Sequence, residues 1–172
     1  MDRHSLWVVT AALVPLVGAA AQTRPSPQSI AHLAAAWDIN AVYWSRYDTT
    51  VVGLSTEGTR VVTWRPDDGS LAKVLVQSMG ETGRASQTYY LASSWGLYLA
   101  VSRVDSYDTP LSGHVVRVQL DSLYYDGPRL LRGIRVDSSA AGLRMQSLGT
   151  KRDSIAAELN QTLRAAGVRR GA

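Results

Sequence analysis

Along this chain the spacing of apolar residues changes twice. Ile30, Leu33, Trp37, Ala41 and Trp44 recur at steps of three and four, which places them on one face of a helix. Ser26-Pro27 stands ahead of them, a hydroxyl cap followed by proline at the first helical position, so the spacing predicts a helix over 27–46. From Val51 the period falls to two. Short runs of Val, Leu, Tyr and Trp alternate with Gly, Asp, Ser and Pro clusters, the pattern of antiparallel strands. Strands are expected near 59–65, 71–78, 87–92, 97–105, 114–125 and 129–136. Pro66-Asp67-Asp68-Gly69 and Asp126-Gly127-Pro128 are tight-turn signals, and strands joined by such short turns run antiparallel. The helical spacing returns at Ile155, Leu159 and Leu163. Thr150 and Asp153 resemble a capping box, Arg164 lies in the last turn and Gly167 ends it. The fold class is therefore α+β: an antiparallel β-meander of about six strands flanked by an N-terminal and a C-terminal helix.

Ahead of this domain the chain has the layout of a secretory signal. Arg3 precedes an apolar run from Leu6 to Val17, and Gly18-Ala19-Ala20-Ala21 supplies small residues where a signal peptidase reads. The run is shorter than the roughly 20 apolar residues of a membrane span, and Pro15 with Gly18 would break a helix near its end. Residues 1–21 are expected to be a cleaved signal peptide, and 22–172 a single domain with an ordered core over about 27–167. No cysteine follows the small residues, which excludes a lipid-anchored lipoprotein. The expected location is periplasmic or extracellular, in a bacterium, with no stable membrane insertion after cleavage.

Composition narrows the chemistry. The chain has no Cys, so thiol catalysis, disulfides and Cys-ligated metals are excluded. Its formal net charge is +4, carried almost wholly by Arg, with Lys only at 73 and 151. The arginines are scattered, whereas a nucleic-acid surface gathers them. No nucleic-acid partner is expected.

Three segments repeat one arrangement: Trp64 to Leu71, Tyr89-Tyr90 to Leu97, and Tyr124-Tyr125 to Leu130. In each, an aromatic closes a strand, a turn containing Gly follows, and Leu opens the return strand. With Ile39-Asn40, Gly80-Glu81-Thr82-Gly83, Tyr107-Asp108-Thr109-Pro110 and Arg132, the chain resembles a loose group of uncharacterised exported bacterial proteins built on repeated Tyr-Tyr/Gly/Leu β-hairpins. The resemblance implies an exported hairpin fold and brings no established activity. The second copy departs from the pattern, with Ser93-Ser94-Trp95 where the others have Asp before Gly.

No catalytic set emerges. His32 and His114 are the imidazoles left after processing, and neither a Gly-x-Ser-x-Gly elbow nor a Ser-x-x-Lys motif occurs. Metal-ligand spacings and phosphate loops are likewise missing from the sequence. No catalytic residue, metal site or cofactor is assigned. The surplus chemistry is aromatic: Trp95, Tyr98, Tyr107 and Tyr124, with Arg132 beside them, are the candidate binding residues, since exposed Tyr and Trp next to Arg make recognition patches. Successive residues of a strand point to opposite faces, so one ring of each Tyr-Tyr pair is expected under a helix and the other toward solvent or a partner. The sequence does not name a function. Its leading reading is an exported, non-enzymatic binding or structural module that contacts a protein or an envelope polymer through an aromatic/Arg sheet face. Two rivals stand beside it: a secreted hydrolase using His114 with Asp105 or Asp108, and an inhibitor of a secreted enzyme.

Overall fold

The computed structural model describes residues 24–92, 96–149 and 152–168. The leader read over 1–21, and Trp95, lie outside them. Helix α1 spans Pro27–Asn40, and a 3-10 turn over Ala41–Tyr43 leads into the sheet. Eight strands follow: β1 Ser45–Val51, β2 Thr59–Arg65, β3 Lys73–Gly80, β4 Gly83–Leu91, β5 Leu97–Tyr107, β6 Val115–Asp126, β7 Arg129–Ser139 and β8 Gly142–Ser147. Helix α2, Arg152–Ala165, closes the described chain. All eight strands form one antiparallel sheet in sequence order. The α+β meander is thus as expected, but with eight strands rather than six. The two additions are the edges. β1 occupies 45–51, overlapping the end of the helix that the spacing predicts over 27–46, and β8 follows the last expected strand.

Local chemistry accounts for the helix ends. The Ser26 side chain accepts from the Ser29 N–H, and the Ser29 side chain accepts from the Ser26 N–H, a reciprocal cap with Pro27 just inside. At the other end of the chain Gly167 adopts φ +69°, the Gly167 N–H donates to Arg164 C=O and the Val168 N–H to Leu163 C=O. That is a Schellman stop on α2.

The two helices cover opposite faces. Leu159, Leu163 and Ala166 of α2 share a core with Val61, Val74, Val76, Tyr89, Ala100, Leu123 and Tyr125. Ile30 and Ala34 of α1 share another with Tyr90 and Leu99, and Trp37, Tyr98, Tyr124 and Leu131 pack on it. We call these the α2 face and the α1 face. The repeated segments are the β2–β3, β4–β5 and β6–β7 hairpins, all at one end of the sheet, and they fall into register. The row Trp64, Lys73, Tyr90, Leu99, Tyr124, Arg132 crosses from β2 to β7 on the α1 face. The leucines that open the return segments, Leu71, Leu97 and Leu130, join the α2-side core.

Two bulges make this possible. Tyr90 faces Leu99 while Leu91 faces Leu97, leaving Tyr98 as the extra residue; Tyr124 faces Arg132 while Tyr125 faces Leu130, leaving Leu131 as the extra one. Each bulge resets the alternation, so Tyr98 and Leu131 join the α1-side core and Leu97 and Leu130 the other. Gly133 is required at a close approach: a Cβ there would lie 2.3 Å from the Leu148 carbonyl oxygen. Among the described residues no helix is long and apolar enough to cross a membrane.

Candidate binding face

Of the residues singled out by sequence, the four that are described do not form one patch. Tyr98 and Tyr124 are half-buried and help seat α1. Arg132 lies opposite Tyr124 and is exposed. Tyr107 ends β5, nine positions beyond Tyr98 on the same strand, so about 30 Å separates them at the rise of an extended chain; they cannot share one patch. The expectation that one ring of each Tyr-Tyr pair faces outward does not hold for Tyr89 and Tyr90, which are 3% and 7% exposed. Both faces carry a helix at this end of the sheet, so both rings are covered. Burial pushes the pKa of each hydroxyl up, further into the alkaline range, with nearby Glu158 adding for Tyr89 and Asp38 for Tyr90.

His114 does meet a carboxylate. Its Nδ1 lies 3.1 Å from Asp108 Oδ2, and hydrogen bonds, first from the Ser112 hydroxyl and then from the Thr109 N–H, hold Asp108 to about 2. Ser112 donates to Asp108 and accepts from the His114 N–H. A hydrolase would instead need that hydroxyl at the far imidazole nitrogen. All of these groups are exposed on the β5–β6 loop, and the network closes the loop. Asp105 is elsewhere: it sits within β5, 1% exposed, and takes no part in that loop.

Two clefts beside the middle of α2 are small. One of about 230 Å³ and one of about 190 Å³ flank the Gln87–Glu158 hydrogen bond of 3.1 Å. Both fall short of the ~300–1,000 Å³ of a typical small-molecule site. No three His, Asp or Glu side chains gather as a metal would require among the described residues.

The open surface is the rest of the α1 face. Away from the helix, the register sets one row across all eight strands: Thr50, Arg60, Gln77, Ser86, Arg103, Leu120, Val136 and Met145, from β1 to β8. The next row outward is Met79, Arg84, Asp105, Val118, Ser138, Leu143. Half of this area is cationic and half apolar. Leu143 and Met145 are 66% and 65% exposed, and among the described residues no element covers them. The same three strands are polar on their other side. There Arg135 grips Asp121 through two hydrogen bonds of 2.7 and 2.6 Å, and Arg117 pairs with Asp137. A solvated sheet face normally looks like that second side. The α1 side departs from it.

Within the cationic half, Arg60 is fully engaged. It donates through Nε and a terminal nitrogen to Asp48 and through the other to Gln77. Arg84 and Arg103 differ. Among the described residues each donates only Nε, at 2.7 and 2.8 Å, to opposite oxygens of Asp105. Desolvation pushes the Asp105 carboxyl up, but the hydrogen bonds and charges of Arg103 and Arg84 outweigh it and hold it below its ordinary value.

The chain matches no protein-family model, no curated protein and no solved structure. Its function therefore has to be argued from this geometry.

Proposed function

We propose that this protein is an exported, non-enzymatic binding module of the bacterial envelope, and that it engages an anionic, amphiphilic envelope component through the open half of the α1 face. The observation that carries this reading is the register row in which Arg60 and Arg103 run directly into Leu120, Val136 and Met145. A contiguous apolar area left open beside fixed positive charge marks an interaction surface. Tyr98 and Tyr124 contribute by holding α1, which borders this area, and Arg132 adds charge at that border. The leader-like segment over 1–21 supports export.

Co-sedimentation with vesicles tests the reading. Binding to phosphatidylglycerol vesicles and not to phosphatidylcholine vesicles is expected, with loss of binding on Leu120→Ser combined with Met145→Ser. Undiminished binding by that variant would overturn it. Export has its own check: expression in a bacterium should yield a chain beginning at Gln22 outside the cytoplasm.

A further inference from the structure

Arg84 and Arg103 raise a question that neutralising Asp105 does not answer. One arginine suffices to balance one buried carboxylate, yet two are tied to it. The pair and its carboxylate together keep one positive charge. Asp105 is 1% exposed, whereas the arginine side chains are 53% and 51% exposed, so the carboxylate lies beneath and the guanidiniums lie at the surface. Because among the described residues both are held through Nε alone, their terminal amino groups have no partner there, and these are the part of the planar fork that meets phosphate oxygens. They line a pocket of about 240 Å³ with Gln77, Met79 and Ser86. That volume admits a headgroup and little more.

We propose that Arg84 and Arg103, aimed by Asp105, form the receptor for the phosphate of an amphiphile whose acyl chain lies over Val118, Leu120 and Val136. This deepens the binding-face reading above and rests on it. The chain's path follows from register: Leu120 is the direct cross-strand neighbour of Arg103, and Val118 that of Asp105, a separation of about 5 Å between side-chain roots. A headgroup between the arginines therefore places the first methylenes on β6, with Val136 and Met145 next in line. On β6 and β7, Arg117–Asp137 and Arg135–Asp121 are two-point grips already closed on their own carboxylates, which leaves those arginines less suited to an incoming anion.

Calorimetric titration of the purified chain with dodecyl phosphate below its micelle concentration tests the proposal, with dodecyl maltoside and inorganic phosphate as controls. The wild type should bind dodecyl phosphate in preference to both controls. Replacing Arg84→Gln together with Arg103→Gln should weaken it by about tenfold or more, the loss of charge-assisted bonds to the phosphate, and should flatten its dependence on salt. Should that double variant fail to fold, Arg103→Lys keeps the charge and a donor to Asp105 but loses the fork, and it should also weaken binding. If dodecyl phosphate affinity survives the arginine changes but falls on Leu120→Ser, the receptor is wrong and the binding face stands. If neither set of changes matters, both fall. If inorganic phosphate binds as tightly as dodecyl phosphate, the site takes free anions and the amphiphile is overturned.

Discussion

Arg103 on β5 and Leu120 on β6 are direct cross-strand partners on the same face of the sheet. A long cation and a branched apolar side chain therefore lie side by side on a surface that no described element covers. Leu120, Leu143 and Met145 are exposed, so their removal creates no cavity. Changing Leu120→Ser or Met145→Ser should shift unfolding stability by no more than about 0.5 kcal/mol. Urea denaturation measures this, and a large loss would mean that these side chains belong to the core.

Gly133 should tolerate no side chain. Gly133→Ala would set a methyl 2.3 Å from the Leu148 carbonyl oxygen and 3.0 Å from Leu123 Cδ2, and the first is backbone that cannot swing aside. A destabilisation of about 1–3 kcal/mol is expected from such overpacking. Thermal unfolding of the variant, alongside Gly127→Ala where no atom lies within 4 Å but φ is +55°, separates crowding from backbone strain.

Helix α1 is fastened by Asp38. The Tyr90 hydroxyl donates to both of its carboxylate oxygens at 3.0 Å, and Lys73 Nζ lies 2.6 Å from one of them. Tyr90→Phe should cost about 0.5–1.5 kcal/mol, and Asp38→Ala after Tyr90→Phe should cost less than Asp38→Ala alone, because the two share one bond. Double-mutant unfolding supplies the coupling. Additive losses would mean the contact contributes nothing.

Acid should loosen the cationic half of the α1 face. Hydrogen bonds and charges from Arg103 and Arg84 hold Asp105 below its ordinary 3.8. A carboxyl depressed in the folded state stabilises fully above its unfolded value and loses that contribution as pH falls toward its folded value. Unfolding midpoints should therefore drop below about pH 4. Asp105→Asn should lower the midpoint at neutral pH and show a shallower drop in acid. An identical acid profile in that variant would assign the loss to other carboxylates.

Much of the fold is legible in the apolar spacing, and the misses have physical causes. Trp44 continues the three-to-four spacing of α1, yet the helix ends at Asn40, because residues 45–51 pair as an edge strand. That strand reads Ser-Arg-Tyr-Asp-Thr-Thr-Val and is exposed over most of its length, so no apolar alternation announces it. β8 does alternate Leu143 with Met145, but all six of its residues are exposed, and a short exposed edge resembles a loop. The placement of Tyr98 depends on a bulge, which adds one residue and reverses the faces without altering composition. Asp105 stands at the end of the strand expected over 97–105, and only the longer β5, to Tyr107, sets it inside the sheet. Arg103-Val104-Asp105 is the signal that was there to find, since period two sets those charges on one face. Arg84 joins them only through register, as do Leu120, Val136 and Met145, which lie on three strands.

Met79 and Met145 stand at opposite ends of the open area, one beside the arginine pocket and the other at the apolar edge, 58% and 65% exposed. Their methyl resonances therefore report on it directly. Titrating the methyl-labelled protein with phosphatidylglycerol nanodiscs should shift or broaden both signals together, and phosphatidylcholine nanodiscs should leave them in place. If the protein binds the anionic discs while both methyl signals stay unchanged, the α1 face is not the binding surface.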